Sequence, residues 1–327
     1  MRRRDFIKAI AASPAAWPLA ARAQQPGMPV IGFLHSGAAP TRTDLLSQFR
    51  QGLTEHGYSE GRNVNVEYRW ADDHFDRLPA LAADLVSRQV NVIVTPGSTP
   101  ATLAAKAATS TIPIVFGVGI DPVKFGLVVS FNRPIGNLTG VTFMSSVLLA
   151  KQIDLLHKLA PNATLIGFLV NPNFPDTEDQ LNVAFPAADA IGLKLITGKA
   201  SDEANFDQAF STLVQQHIGA LLVQTDPFFF TQRKRLAILG SSYALPVLYG
   251  LQEFVSAGGL MSYGANTGDT WRLVGVYTGR ILKGEKPEDL PVIQSNRFEL
   301  VINLKTAKAL GIKISGDLLS LADEVIE

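Results

Sequence analysis

Cysteine is absent from all 327 residues. That excludes a disulfide framework, a thiolate metal site, a cysteine nucleophile and a lipid anchor carried on cysteine. Histidine is scarce. His35, His56, His74, His157 and His217 are scattered along the chain without metal-ligand spacing. Charge of one sign is lacking too, because 29 basic residues balance 29 acidic ones. A nucleic-acid binder carries a basic face, so this balance argues against such a partner. The glycine motifs that cradle phosphates are also missing. The first strand runs into His35-Ser36-Gly37-Ala38-Ala39-Pro40, which is neither G-x-G-x-x-G nor G-x-x-x-x-G-K-[ST]. Gly117-Val118-Gly119 has no third glycine and leads into Asp121-Pro122. No cofactor or metal is expected, and the residues offer no catalytic constellation. Beyond the N-terminus no apolar run reaches the length of about 20 residues needed to cross a bilayer.

What is present begins with an address. Arg2-Arg3-Arg4 and Lys8 form a basic region, Ala9 to Ala20 an apolar stretch, and Ala21-Arg22-Ala23 an A-x-A cleavage pattern. Residues 1–23 therefore read as an export signal cleaved near Ala23, which places the mature chain in the periplasm. Arg3-Arg4-x-Phe6-Ile7-Lys8 fits a twin-arginine signal, and an arginine pair equally serves the general secretory route. Cleavage removes five basic residues and one acidic, leaving 24 against 28, a net charge of −4. The remaining residues exceed the usual size of a single core, so two domains are expected.

The organising stretch is residues 91–122. Val92-Ile93-Val94 is a buried strand, Thr95 to Thr99 a loop, Pro100 to about Thr109 an alanine-rich helix, and Ile112 to Phe116 a second strand. This is a βαβ unit, and open α/β sheets bind ligands outside the carboxyl ends of their strands. The same alternation precedes it, with strands at 29–34 and 64–70 and helices at 41–56 and 75–88. It begins again after Phe143, with strands at 165–170, 193–197, 220–224 and 246–249. Each half thus supplies three strand-end loops: 35–38, 95–100 and 117–122, then 171–175, 225–228 and 249–253. The expected fold is α/β, two Rossmann-like parallel-sheet lobes with a central ligand cleft.

The segments TPGSTPATLAAKAATSTIPIVFGVGIDPV, FNRPIGNLTGVTF, LVNPNFP and EFVSAGGLMSYGAN, in this order behind an export signal, resemble one family across the whole mature chain. It is the ABC-transporter substrate-binding proteins of the tryptophan/aromatic-amino-acid-binding type, with the type I periplasmic binding protein fold. The resemblance implies lobe one at 24–143 and about 260–288, and lobe two at 144–259 and about 289–327. Crossovers are expected near 143–145, 259–260 and 286–288. It also implies a monomeric receptor that closes on a small molecule, an amino acid or related carboxylate, and delivers it to an ABC permease of the inner membrane. The alternative from a different class is a sensing subunit docking on a membrane signalling protein; an α/β enzyme is the remaining rival.

A free amino acid needs donors for its carboxylate, an acceptor for its ammonium and a wall for its side chain. Gly97, Ser98 and Thr99 precede a helix, where backbone N–H groups favour an anion; the same residues also make an ordinary capped turn. Asp226 ends a strand in Thr225-Asp226, either as ammonium acceptor or as cap of the next helix. Asp121, followed by Pro122, poses the same choice and leans towards capping. Ser36, Gly37, Gly117, Val118 and Asn171 lie at other strand ends facing the cleft. Phe174, Phe228, Tyr249 and Glu253 are candidate walls, with core packing the competing role for the aromatics.

Overall fold

The computed structural model describes residues 27–327, and the export signal read over residues 1–23 lies outside them. Thirteen strands are described: β1 Val30–His35, β2 Asn65–Trp70, β3 Val92–Thr95, β4 Ile114–Val118, β5 Leu138–Thr142, β6 Leu165–Val170, β7 Lys194–Lys199, β8 Ala220–Val223, β9 Val247–Tyr249, β10 Met261–Ala265, β11 Ile293–Gln294, β12 Phe298–Asn303 and β13 Glu324–Ile326. They form two sheets, ordered β11-β5-β4-β3-β1-β2 and β13-β12-β10-β9-β8-β6-β7. Every pair is parallel except β10 with β12. The expected two-lobed parallel architecture is what the chain adopts.

The two halves repeat one topology. β2-β1-β3-β4-β5 and β7-β6-β8-β9-β10 follow the same order, each reversing direction between its two central strands. At such a switch point the loops diverge and leave a crevice at the carboxyl ends. The central strands read as continuous apolar runs because helices cover both faces, and β1, β3, β4 and β8 are buried nearly throughout. β2 lies at an edge and alternates instead. Tyr68 and Trp70 stack towards Phe33, while Arg69 turns outwards to pair with Glu67 and Asp84.

The crossovers differ from the expectation in two places. The first lies between β5 and the turn at Ser145, with Met144 in the left-handed region at φ 38°. The second comes later. Residues 261–265 do not return to the first lobe but fill the second sheet as β10, between β9 and β12. Small residues make that possible: a Cβ on Gly264 would lie 1.8 Å from the carbonyl oxygen of Gly250. The chain then crosses at Asn266, whose side chain caps the helix Thr267–Leu282. The third crossover also comes later, because β11 still pairs with β5 before β12 joins the second sheet.

The helix Thr267–Leu282 belongs to the first lobe through backbone contact with the helix Thr43–Glu55. A Cβ on Gly52 would sit 2.0 Å from the oxygen of Arg272, and one on Gly275 2.2 Å from the oxygen of Phe49. Only glycine at both positions lets the two backbones meet so closely. That contact fixes Trp271 beside Phe33 and His35, at ring-centroid distances of 5.8 and 5.7 Å.

Candidate functional site

The loops after β1 and β3 in the first lobe face those after β6 and β8 in the second. Between them lies a cavity of about 510 Å³ of empty volume, part of it open to solvent. The first lobe contributes His35, Arg42, Leu45, Gly97, Thr99, Gly119, Phe143, Thr270 and Trp271; the second contributes Phe174, Thr225, Asp226, Pro227, Phe230 and Leu251. The lining is mostly apolar and aromatic, with a few polar groups set apart.

At the first-lobe wall, Ser98 is the N-cap of the helix Thr99–Ala108, its hydroxyl oxygen accepting from the N–H of Ala101. The first N–H groups of this helix have no intrahelical partner, so its end carries partial positive charge towards the cavity. Ser98 Oγ also donates to Ser36 Oγ at 2.7 Å, tying this loop to the one after β1. Gly97, at φ 70°, carries the turn. Gly117 lies beneath it rather than on the wall, since a Cβ there would stand 3.1 Å from Gly97 N.

Two donors on the same wall have no acceptor. Gly37 N–H donates to His35 Nδ1 at 2.8 Å, so the proton of the neutral ring sits on Nε2. Burial, and then the charge of Arg42, hold that imidazole well below its usual pKa and keep it neutral. His35 Nε2 and Trp271 Nε1 are both buried and unpartnered. Leaving a buried donor unsatisfied costs about 1–3 kcal/mol, so each marks a place for an oxygen from outside the chain.

Across the cavity, Asp226 caps the short helix Pro227–Thr231. Its Oδ1 accepts from Phe229 N–H at 2.8 Å and its Oδ2 from Asn171 Nδ2 at 3.2 Å. Burial pushes its carboxyl up to about 7, against the pull of these hydrogen bonds. Carboxylate oxygens have about four acceptor sites, so two bonds leave room for another donor. Asp226 therefore both caps a helix and lines the cavity.

Arg42 closes one side. It is 3% exposed, donates through Nη2 to Pro227 O at 3.0 Å, and stacks 3.9 Å above the Phe230 ring in the other lobe. Thr231 of the second lobe donates to Asp73 of the first at 3.0 Å, and Lys124 pairs with Asp179 at 2.7 Å. The lobes are thus joined by contacts that exist only when they are close together.

Of the residues anticipated from sequence, Gly97, Thr99, Phe174 and Asp226 line the cavity. Ser98, Ser36 and Gly117 stand directly behind them. Asn171 supports Asp226. Gly37 fixes the His35 ring, and a Cβ on it would meet Arg42 Nη2 at 3.0 Å. Val118 packs in the first-lobe core. Asp121 accepts from the N–H groups of Val123 and Lys124, as a cap does. Tyr249 is 1% exposed in the second lobe, its hydroxyl directed at Leu236 O, and Phe228 stacks on Phe206 at 5.5 Å. Of the three consecutive phenylalanines it is Phe230 that reaches the cavity. Glu253 lies in a neighbouring chamber with Arg233 and Arg42, and burial raises its carboxyl.

Sequence reasoning missed Arg42, Trp271, Phe143 and the donor role of His35. One signal was readable: a cation in the residue before a helix, Arg42 ahead of Thr43, opposes the helix dipole and calls for another reason to be there. Gly57-Tyr58-Ser59-Glu60-Gly61 has G-x-S-x-G spacing, but it follows a helix and leads into β2, not the strand-to-helix elbow of a hydrolase.

A family profile described as ABC transporter substrate binding protein matches residues 12–326. The chain belongs to this family. Its members are binding proteins rather than enzymes. A relative from Clostridioides difficile (strain R20291), named a tyrosine-binding protein, is 28% identical over 288 residues, covering 88% of this chain and 82% of that protein. A structure from Streptococcus pneumonia, described as an ABC domain in complex with L-Trp, superposes with a TM-score of 0.83 at 25% identity, over 91% of this chain and 99% of that one. The ligand-free, open structure of a Clostridium difficile substrate-binding protein with adhesive properties gives 0.65 at 26% identity over the same shares.

Proposed function

We propose that this substrate-binding protein is an exported receptor for an amino acid with an aromatic side chain, captured by closure of its lobes for an ABC permease. The observation that carries the reading is the opposition of charge across an apolar cavity. The N-terminus of the helix Thr99–Ala108 favours an anion on one lobe, and the Asp226 carboxylate favours a cation on the other. An α-amino acid has both groups on one carbon. Phe143, Phe174 and Phe230 supply walls for a flat ring. The names of the relatives, tyrosine-binding and crystallised with L-Trp, support the same class.

Closure as the means of capture is supported by the interlobe contacts of Arg42, Thr231 and Lys124. It is also supported by the higher TM-score to the L-Trp complex than to the open, ligand-free structure, at nearly equal identity and coverage. A hinge needs segments that absorb rotation, and the three crossovers at 143–145, 265–267 and 294–298 are short and free of regular structure at their centres.

A melting screen of the protein against amino acids, sugars and nucleosides tests the reading. Ligand at a hundred times its dissociation constant stabilises a fold by about 2.7 kcal/mol, which is a shift of a few degrees. The expected result is a shift confined to aromatic amino acids and close analogues. A shift with sugars or nucleosides, and none with amino acids, overturns it.

A further inference from the structure

The geometry points to Trp271 and His35 as a pair of uncharged donors to the ligand's carboxylate, acting together with the loop Gly97–Thr99. This rests on the amino-acid reading above and says how that ligand is chosen over its decarboxylated analogue.

Both side chains are almost fully buried, at 1% and 0% exposure, and both line the cavity. Neither Trp271 Nε1 nor His35 Nε2 meets an acceptor in the chain. Both are donors only. Indole nitrogen cannot accept, and His35 Nδ1 is already occupied by Gly37 N–H, which leaves the proton on Nε2. An ammonium therefore cannot be their partner, and an oxygen can.

Position selects which oxygen. Trp271 Nε1 stands 3.0 Å from where a Cβ on Gly97 would lie, at the loop that opens the helix Thr99–Ala108. The His35 ring is 5.7 Å from the indole, centroid to centroid. A carboxylate offers enough lone pairs on two oxygens to serve both side chains and the backbone. Arg42, the guanidinium on the cavity wall, is engaged by Pro227 O and the Phe230 ring and is committed to holding the lobes. The site thus reads a carboxylate with neutral donors while its cation works elsewhere.

The test is calorimetric titration of wild type, Trp271→Phe, His35→Leu and His35→Gln with L-tryptophan and with tryptamine, which keeps the ring and ammonium but lacks the carboxylate. L-tyrosine and tyramine serve in the same way if they bind more tightly. Each lost donor to a charged oxygen is expected to weaken the amino acid about ten- to a hundredfold. The amine offers these donors no acceptor and should weaken less than the amino acid, so that the ratio of the two affinities falls about ten- to a hundredfold. His35→Gln, which keeps a donor near the ε position, should recover part of the loss. Equal weakening of acid and amine by both Trp271→Phe and His35→Leu overturns the proposal, as does unchanged binding. Wild type that binds neither amino acid contradicts the function itself and is recognised before any variant is made. If Trp271→Phe fails to fold, as melting of the free variant will show, the His35 pair decides alone.

Discussion

Asp226 answers to two partners inside the chain and, in the proposed function, a third outside it. Burial raises its carboxyl to about 7, and burial likewise raises Asp73, at the lobe interface, to about 6. A carboxyl raised on folding binds its proton more tightly in the folded state. Its contribution to stability is therefore complete below the ordinary value of about 3.9 and is lost as pH rises through about 6–7. The ligand's ammonium needs the ionised form, so affinity runs the other way. Titration of an aromatic amino acid from pH 5 to 8 is expected to show the dissociation constant falling about tenfold per unit up to about pH 7, then levelling. Asp226→Asn keeps an oxygen for the Phe229 N–H and should remove this slope while lowering affinity. A wild-type affinity independent of pH would contradict the ammonium contact. Asparagine is preferred to alanine here because losing the cap would itself cost about 1 kcal/mol.

At the scale of elements, the strands and helices were legible because their periodicities are strong. Val64 to Trp70 alternates, and Leu45, Leu46, Phe49 and Leu53 repeat on one helical face, so both appear where the pattern puts them. Two features were hidden. Met261–Ala265 is rich in small residues, and nothing local tells a sheet-filling strand from a crossover; the pairing with β12, 33 to 41 residues on, decides it. The stretch 228–243 is divided at Gln232 into the helices Pro227–Thr231 and Arg233–Ser242, and in the first of them Phe230 lines the cavity while Phe229 packs in the core. The seating of the helix Thr267–Leu282 is equally nonlocal, being set by Gly52 and Gly275. Gly275→Ala should force two backbones apart and destabilise the protein by about 1–3 kcal/mol, the range for overpacking. Because Trp271 rides on this helix, affinity should fall as well. Chemical denaturation that finds the variant as stable as wild type would show that the helices can part without cost.

At the scale of the whole molecule, the fold was readable and the site only half so. Strand-end loops follow from strand order, and Gly97, Thr99, Phe174 and Asp226 sit on such loops. Trp271 and Arg42 sit on helices and reach the cavity only because one helix packs on another and one lobe closes on its partner. Such contacts leave little trace in local sequence, the cation ahead of a helix at Arg42 being the one local sign. The closure itself combines a buried cation on an aromatic ring, a hydroxyl bonded to a half-buried acid, and one exposed ion pair. The exposed pair, Lys124 with Asp179, is screened by solvent, so the Arg42 cluster carries more of the latch. Every part of this account meets in a single arrangement of ligand between lobes. The most direct measurement is a crystal structure of the protein grown with L-tyrosine or L-tryptophan. The account predicts closed lobes, the ammonium within hydrogen-bond distance of Asp226, about 2.7–3.2 Å, and the carboxylate against Gly97–Thr99. An amino acid bound the other way round, with its carboxylate towards Asp226, or bound outside the cavity, would contradict it.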